Sequence, residues 1–262
     1  MLDAAVLLLM PLIPLTVLYL ANELYYRAAG FYRHRWTLLT AMVGTPVHEL
    51  SHALVASLFG MKVRKIRLYE PDPESNTLGY VHYSYNPFSF SHRLGMTFVG
   101  LAPAIIGAYL VSVILAFGDL PLLTARLGGF SLYDLMEIPI YQEIWGWYGD
   151  LFSSVNGWGV FSALAVSVFI GTHASPSKAD LRGALSGALA VGAVFWLVLS
   201  IPKLLPGIPA LAVLSPEPLI QHWGGAVVQM AALAVGAALV LSVLFGGLAL
   251  IRGLFIGVMA RR

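Results

Sequence analysis

The sequence predicts an all-α polytopic membrane protein with about six transmembrane helices and a small β-hairpin after the second apolar segment. Three observations predict it. The 262 residues are 58% hydrophobic and only 11% charged, against roughly a quarter charged in soluble domains, and mean hydropathy is +0.80. Six apolar segments, at about 4–21, 37–60, 95–117, 158–172, 184–202 and 224–251, come near the length that crosses a bilayer. The stretch MKVRKIRLYEPDPESNTLGYVHYSY from Met61 alternates at period two on both sides of a turn-rich PDPESNTLG, the pattern of a hairpin.

The first segment reads as a retained span, because Asp3 stands where a secretory leader would be basic. In the second, Gly44-Thr45-Pro46 reads as a break, with Thr45 as N-cap and Pro46 at the first position of the helix that follows. The third carries Pro103 in Gly100-Leu101-Ala102-Pro103, a helix kink. Residues 118–157 are acidic (Asp134, Glu137, Glu143, Asp150), and their aromatics Tyr141, Trp145, Trp147 and Tyr148 suit an interfacial belt. The fourth segment is short and contains Ser162 and Ser167; small residues from Gly183 and from Gly246 would let the last helices approach closely. Residues 203–223 are proline-rich.

With no repeat or linker, residues 1–262 read as one integral membrane domain with a core at about 37–190, multi-pass in the cell membrane. Lys and Arg cluster at 27–35, 62–67, 178–182 and 252–262, which the positive-inside rule places in the cytoplasm, with 118–157 outside. The first two clusters flank a single apolar segment, so simple alternation fails there.

The chain has no cysteine, which excludes disulfides, thiol nucleophiles and Cys-ligated metals. A net charge of +2 is too small for nucleic acid as a partner. The chemistry concentrates in His48-Glu49-Leu50-Ser51-His52, an HExxH motif inside an apolar segment. On a helix, positions i and i+4 share a face, so both imidazoles can reach one metal ion, while Glu49 is turned aside to act on water. Zinc suits such a donor set. The competing reading, a polar cluster bonding between helices, explains less, since ionisable groups at membrane depth mark functional sites.

A catalytic zinc takes a third protein ligand. The second polar intrusion, Gly171 to Gly183, offers His173 and Asp180. Asp180 is also explained by a helix capped at Ser175 with Pro176 at its first position, and His173 by a backbone bond at a helix end. His34, His82, His92 and His222 read as ordinary polar contacts.

HELSHA in an early membrane segment, the following GMKVRKIRLYEP, GLAPAIIG and SPSKAD together resemble the site-2 protease family of intramembrane zinc metalloproteases, over about residues 37–190 and in a compact form without a PDZ domain. The resemblance implies His48, His52 and Asp180 as zinc ligands and Glu49 as general base. His173 falls where the family has a substrate-orienting asparagine. Asp180-Leu181-Arg182-Gly183 departs from the family's Leu-Asp-Gly, which keeps His173 open as an alternative ligand. The implied activity is hydrolysis of peptide bonds in or near transmembrane helices of membrane protein substrates, within the lipid bilayer; separately, the hairpin at 61–85 offers an edge for pairing with an extended substrate. Two other readings compete: an HExxH membrane protease that processes chain ends, and a transporter or metal-binding scaffold without hydrolysis.

Overall fold

The computed structural model describes residues 12–72, 74, 77–127, 138–204 and 217–259. The elements are α1 (Leu12–Ala28), a 3-10 turn (Gly30–Tyr32), α2 (Arg33–Leu58), β1 (Lys62–Arg67), β2 (Tyr80–Ser84), α3 (Phe90–Phe117), α4 (Leu123–Leu127), α5 (Ile138–Ser154), α6 (Trp158–His173), α7 (Lys178–Leu204) and α8 (Glu217–Met259). The expected helical fold with one hairpin is met. Among the described residues, Phe90–Phe117 and Gln221–Gly247 are long and apolar enough to cross a membrane. A third span forms if α6 and the start of α7, bent by 64° at their junction, count as one. α2 drops out because His48, Glu49 and His52 interrupt its apolar residues. The first half of the segment at 4–21 lies outside the described residues, as do Asp134, Glu137, most of the proline-rich loop and the last three residues of the basic tail.

α1 packs on α8, α7 on α3, and α2 lies between α3 and α6. The main core gathers Leu18, Tyr25, Val111, Leu115, Trp147 and Met230. Contact between α3 and α7 depends on small residues: a Cβ at Gly187 would strike the Arg93 carbonyl, and Thr97 Oγ1 donates to the Ala184 carbonyl at 2.8 Å.

The expected break at Thr45-Pro46 is not there. α2 runs unbroken from Arg33 with Pro46 inside it. Thr40, Ala41, Gly44 and Thr45 are buried on a face continuous with Glu49 and His52, so packing against neighbours carries the helix across the proline. Pro103 likewise lies inside α3. The chain breaks instead between α6 and α7, in the second polar intrusion.

β1 and β2 pair antiparallel from Lys62↔Ser84 to Arg67↔Tyr80, with an irregularity between Val63 and Lys65. The hairpin folds back along α2: the Met61 amide donates to the Ala56 carbonyl at 2.9 Å, and further on the Tyr69 hydroxyl donates to the Leu38 carbonyl at 3.0 Å. This return explains why charge alternation failed. The basic strand lies beside α2 and does not continue past its end.

The aromatic stretch expected as an interfacial belt is split. In α5, Tyr141 and Trp145 are exposed, but Trp147 is fully buried and its indole N–H donates to the Pro121 carbonyl at 2.8 Å. Arg126 holds both Glu143 and Asp150, fastening α4 to α5. Gln229 of α8 is fully buried. Its Oε1 accepts from the Leu123 amide at 2.7 Å and its Nε2 donates to Ser112 Oγ at 3.3 Å. Gln229→Leu would strand the Leu123 amide, while the Ser112 hydroxyl keeps its bond to the Ala108 carbonyl. A loss of about 1–3 kcal/mol is expected, read as a lowered Tm of the detergent-solubilised protein.

Candidate metal centre

The HExxH pair stands on α2 with both rings oriented by the backbones of other helices. His48 Nδ1 lies 2.7 Å from the carbonyl of His173, at the end of α6. His52 Nδ1 lies 2.8 Å from the carbonyl of Val99, in α3. A carbonyl only accepts, so each Nδ1 carries a proton and each ring turns its Nε2 inward. The two Nε2 atoms are 3.1 Å apart, close enough to share one cation. Asp180 closes the group: Oδ1 is 3.2 Å from His52 Nε2 and Oδ2 is 3.6 Å from His48 Nε2. One ligand atom from each of the three falls within 4.8 Å of the others. Zinc bonded tetrahedrally at about 2.0–2.1 Å sets its ligand atoms about 3.3 Å apart, so the donor set fits a zinc ion.

Asp180 comes from the first turn of α7, where it has a second task. Ser177 N donates to Asp180 Oδ2 at 2.7 Å, and Asp180 N donates back to Ser177 Oγ at 3.1 Å. This is a reciprocal cap with an aspartate at its third position, so the helix is capped at Ser177 and not, as expected, at Ser175. The cap fixes the carboxylate beside the histidines, which makes the structural and metal readings of Asp180 compatible.

Two glycines bring the three helices close enough. A Cβ at Gly44, one turn before His48, would sit 2.5 Å from the Phe169 carbonyl and 2.6 Å from His173 Cβ. A Cβ at Gly100, beside Val99, would strike the Asp180 carbonyl. Gly44→Ala is therefore expected to push α6 off α2. Its metal affinity should fall at least tenfold, the scale of an outer-shell loss, as measured by competition with a chelator.

Glu49 is 8% exposed and lies on the wall of a cavity of about 580 Å³ that also includes the three grouped side chains. Its carboxylate has no hydrogen-bond partner among the described residues, which leaves it available to a water or a substrate. Tyr80, Val81 and Tyr83 of β2 line the same cavity. Neighbouring residues of both parities reach it, so the strand presents its edge. Burial first, and then the negative Asp180, hold the Tyr83 hydroxyl above its usual range, so it stays a donor.

His173 does not join the ligand group. Its Nε2 is engaged by the Tyr26 hydroxyl at 2.9 Å and the Thr40 hydroxyl at 3.0 Å. The residue faces the site through its carbonyl, which lies against His48 Nδ1. His82 stacks on Tyr80, and His92 Nδ1 accepts from the Asn86 amide at 2.7 Å; neither approaches the group. Tyr26 and Thr40 went unnoticed in the sequence, and Gly44 was read only as part of a helix break. No local pattern links them to the motif.

A family model described as Peptidase M50B-like matches residues 15–133. Over those residues the chain is similar to the site-2 protease family. The match contains His48, Glu49 and His52 and ends before Asp180, so the third member of the group rests on geometry. No curated protein and no solved structure matches the chain. A histidine pair and a carboxylate converging beside a buried glutamate form a donor set able to hold zinc.

Proposed function

We propose that the protein is an intramembrane zinc metalloendopeptidase that cleaves transmembrane helices of membrane proteins in or near the bilayer. The observation that carries the reading is the convergence of two Nδ1-tethered imidazoles and Asp180 next to Glu49. His48, His52 and Asp180 would hold the metal. A zinc ion there supplies Lewis acidity, which polarises a peptide carbonyl and acidifies water. Glu49 takes a proton from the attacking water as its oxygen bonds to the carbonyl carbon. It then delivers that proton to the amide nitrogen as the C–N bond breaks. Tyr83, kept neutral, is placed to donate a hydrogen bond within the cavity.

A helix satisfies its own amides, so the substrate must unwind to expose a scissile bond. The free edge of β2 offers the opened segment main-chain partners. Replacing residues of Gly79–Tyr83 one at a time by proline should abolish cleavage at the edge-facing positions, and full activity throughout the scan would remove the docking role. The reading includes a single domain, a core at about 37–190, and about six crossings in the cell membrane. If the broken α6–α7 pair serves as one crossing, the count falls to five.

The test is cleavage of a labelled single-span peptide by purified protein in proteoliposomes. Activity should be lost with a zinc chelator and restored by stoichiometric zinc. Cleavage indifferent to the chelator would contradict the proposal.

A further inference from the structure

The end of α6 is held from the side opposite the metal group. The last four carbonyls of a helix lack partners within it. Here the Gly171 carbonyl accepts from Asn22 Nδ2 at 3.4 Å, that of Thr172 lies 3.5 Å from the Tyr26 hydroxyl, and that of His173 accepts from His48 Nδ1 at 2.7 Å. The His173 ring is pinned from two elements at once, by Tyr26 of α1 and Thr40 of α2. Tyr26 also stands edge-on to that ring, with centroids 5.9 Å apart. Thr40 is fully buried and lies two turns before His48 on the same helix. Gly44, midway between them, allows His173 to rest directly on α2.

We propose that Tyr26 and Thr40 are positioning residues for the metal centre: by gripping the His173 ring they fix the carbonyl that orients His48. The inference rests on the metal-site reading above and adds α1, which contributes no ligand, to the machinery that sets metal affinity. A histidine suits this post because its Nε2 lies within hydrogen-bond reach of both hydroxyls while its carbonyl faces His48. Neither hydroxyl is part of the ligand group, so either can be removed with the donor set intact.

The test uses full-length protein in detergent, with Tyr26→Phe, Thr40→Val, the double variant and Thr40→Ser. Zinc affinity is measured by chelator competition, the cobalt(II) absorption spectrum reports ligand geometry, and the metal-free Tm reports packing. The double variant should bind zinc about tenfold more weakly or worse, as outer-shell losses do. Its cobalt bands should shift, its metal-free Tm should stay near wild type, and Thr40→Ser should behave as wild type. Unchanged affinity and spectrum in the double variant would overturn the inference. So would an affinity loss matched by a fall in metal-free Tm, which would make the pair ordinary packing. If wild-type protein takes up no metal, the metal-site reading itself fails, and that outcome is distinct from wild-type protein binding zinc and the double variant binding it equally well.

Discussion

Glu49→Gln is expected to lower peptide cleavage by about 10²–10⁴-fold, the usual contribution of a positioned general base, while leaving bound zinc unchanged. The substitution keeps shape and removes only the ability to take a proton. Glu49 is not one of the three grouped ligands, and its carboxylate has no protein hydrogen bond among the described residues, so the substitution breaks no hydrogen bond in the packing. The measurement is initial rate on the single-span peptide together with zinc per chain. A variant that cleaves at the wild-type rate would place the proton transfer elsewhere. One that loses zinc would make Glu49 a ligand. The same variant separates the protease from a transporter or scaffold, in which a glutamate between two ligands has no reaction to serve.

Asp180→Ala is expected to weaken zinc binding at least a hundredfold, beyond the ten- to hundredfold typical of outer-shell changes. Two imidazoles alone leave a site short of the three protein ligands a catalytic zinc takes. The carboxylate also caps α7, so part of any loss could come from a loosened helix start. Ser177→Ala separates the two effects. It removes the hydroxyl that accepts from Asp180 N, which costs about 0.5–2 kcal/mol, yet keeps the carboxylate, and it should retain most of the zinc affinity. If Asp180→Ala and Ser177→Ala lose zinc equally, Asp180 is a cap and not a ligand.

What the sequence made legible was local. His48 and His52 four residues apart on a helix, and a period-two run broken by PDPESNTLG, translate into structure through fixed periodicities. Asp180 was within reach because a polar intrusion in an apolar chain is conspicuous. What escaped is set by contacts across the chain. Pro46 and Thr45 look like a helix start, and only the burial of Thr40, Ala41 and Gly44 against other helices keeps α2 continuous through them. Trp147 resembles its neighbour Trp145 in sequence, but one is core and the other is exposed, a difference decided by which face of α5 meets the bundle. Tyr26 and His173 lie 147 positions apart, and no spacing rule joins them. The same holds for His173: its ring was the visible feature in the sequence, while its carbonyl is what faces His48.

The most direct test of the metal centre is the X-ray absorption fine structure of zinc-loaded wild-type protein. The geometry predicts one zinc per chain with two imidazole nitrogens and carboxylate oxygen at about 2.0–2.2 Å. A shell of three imidazoles would replace Asp180 with His173, and a protein that retains no zinc would contradict the account.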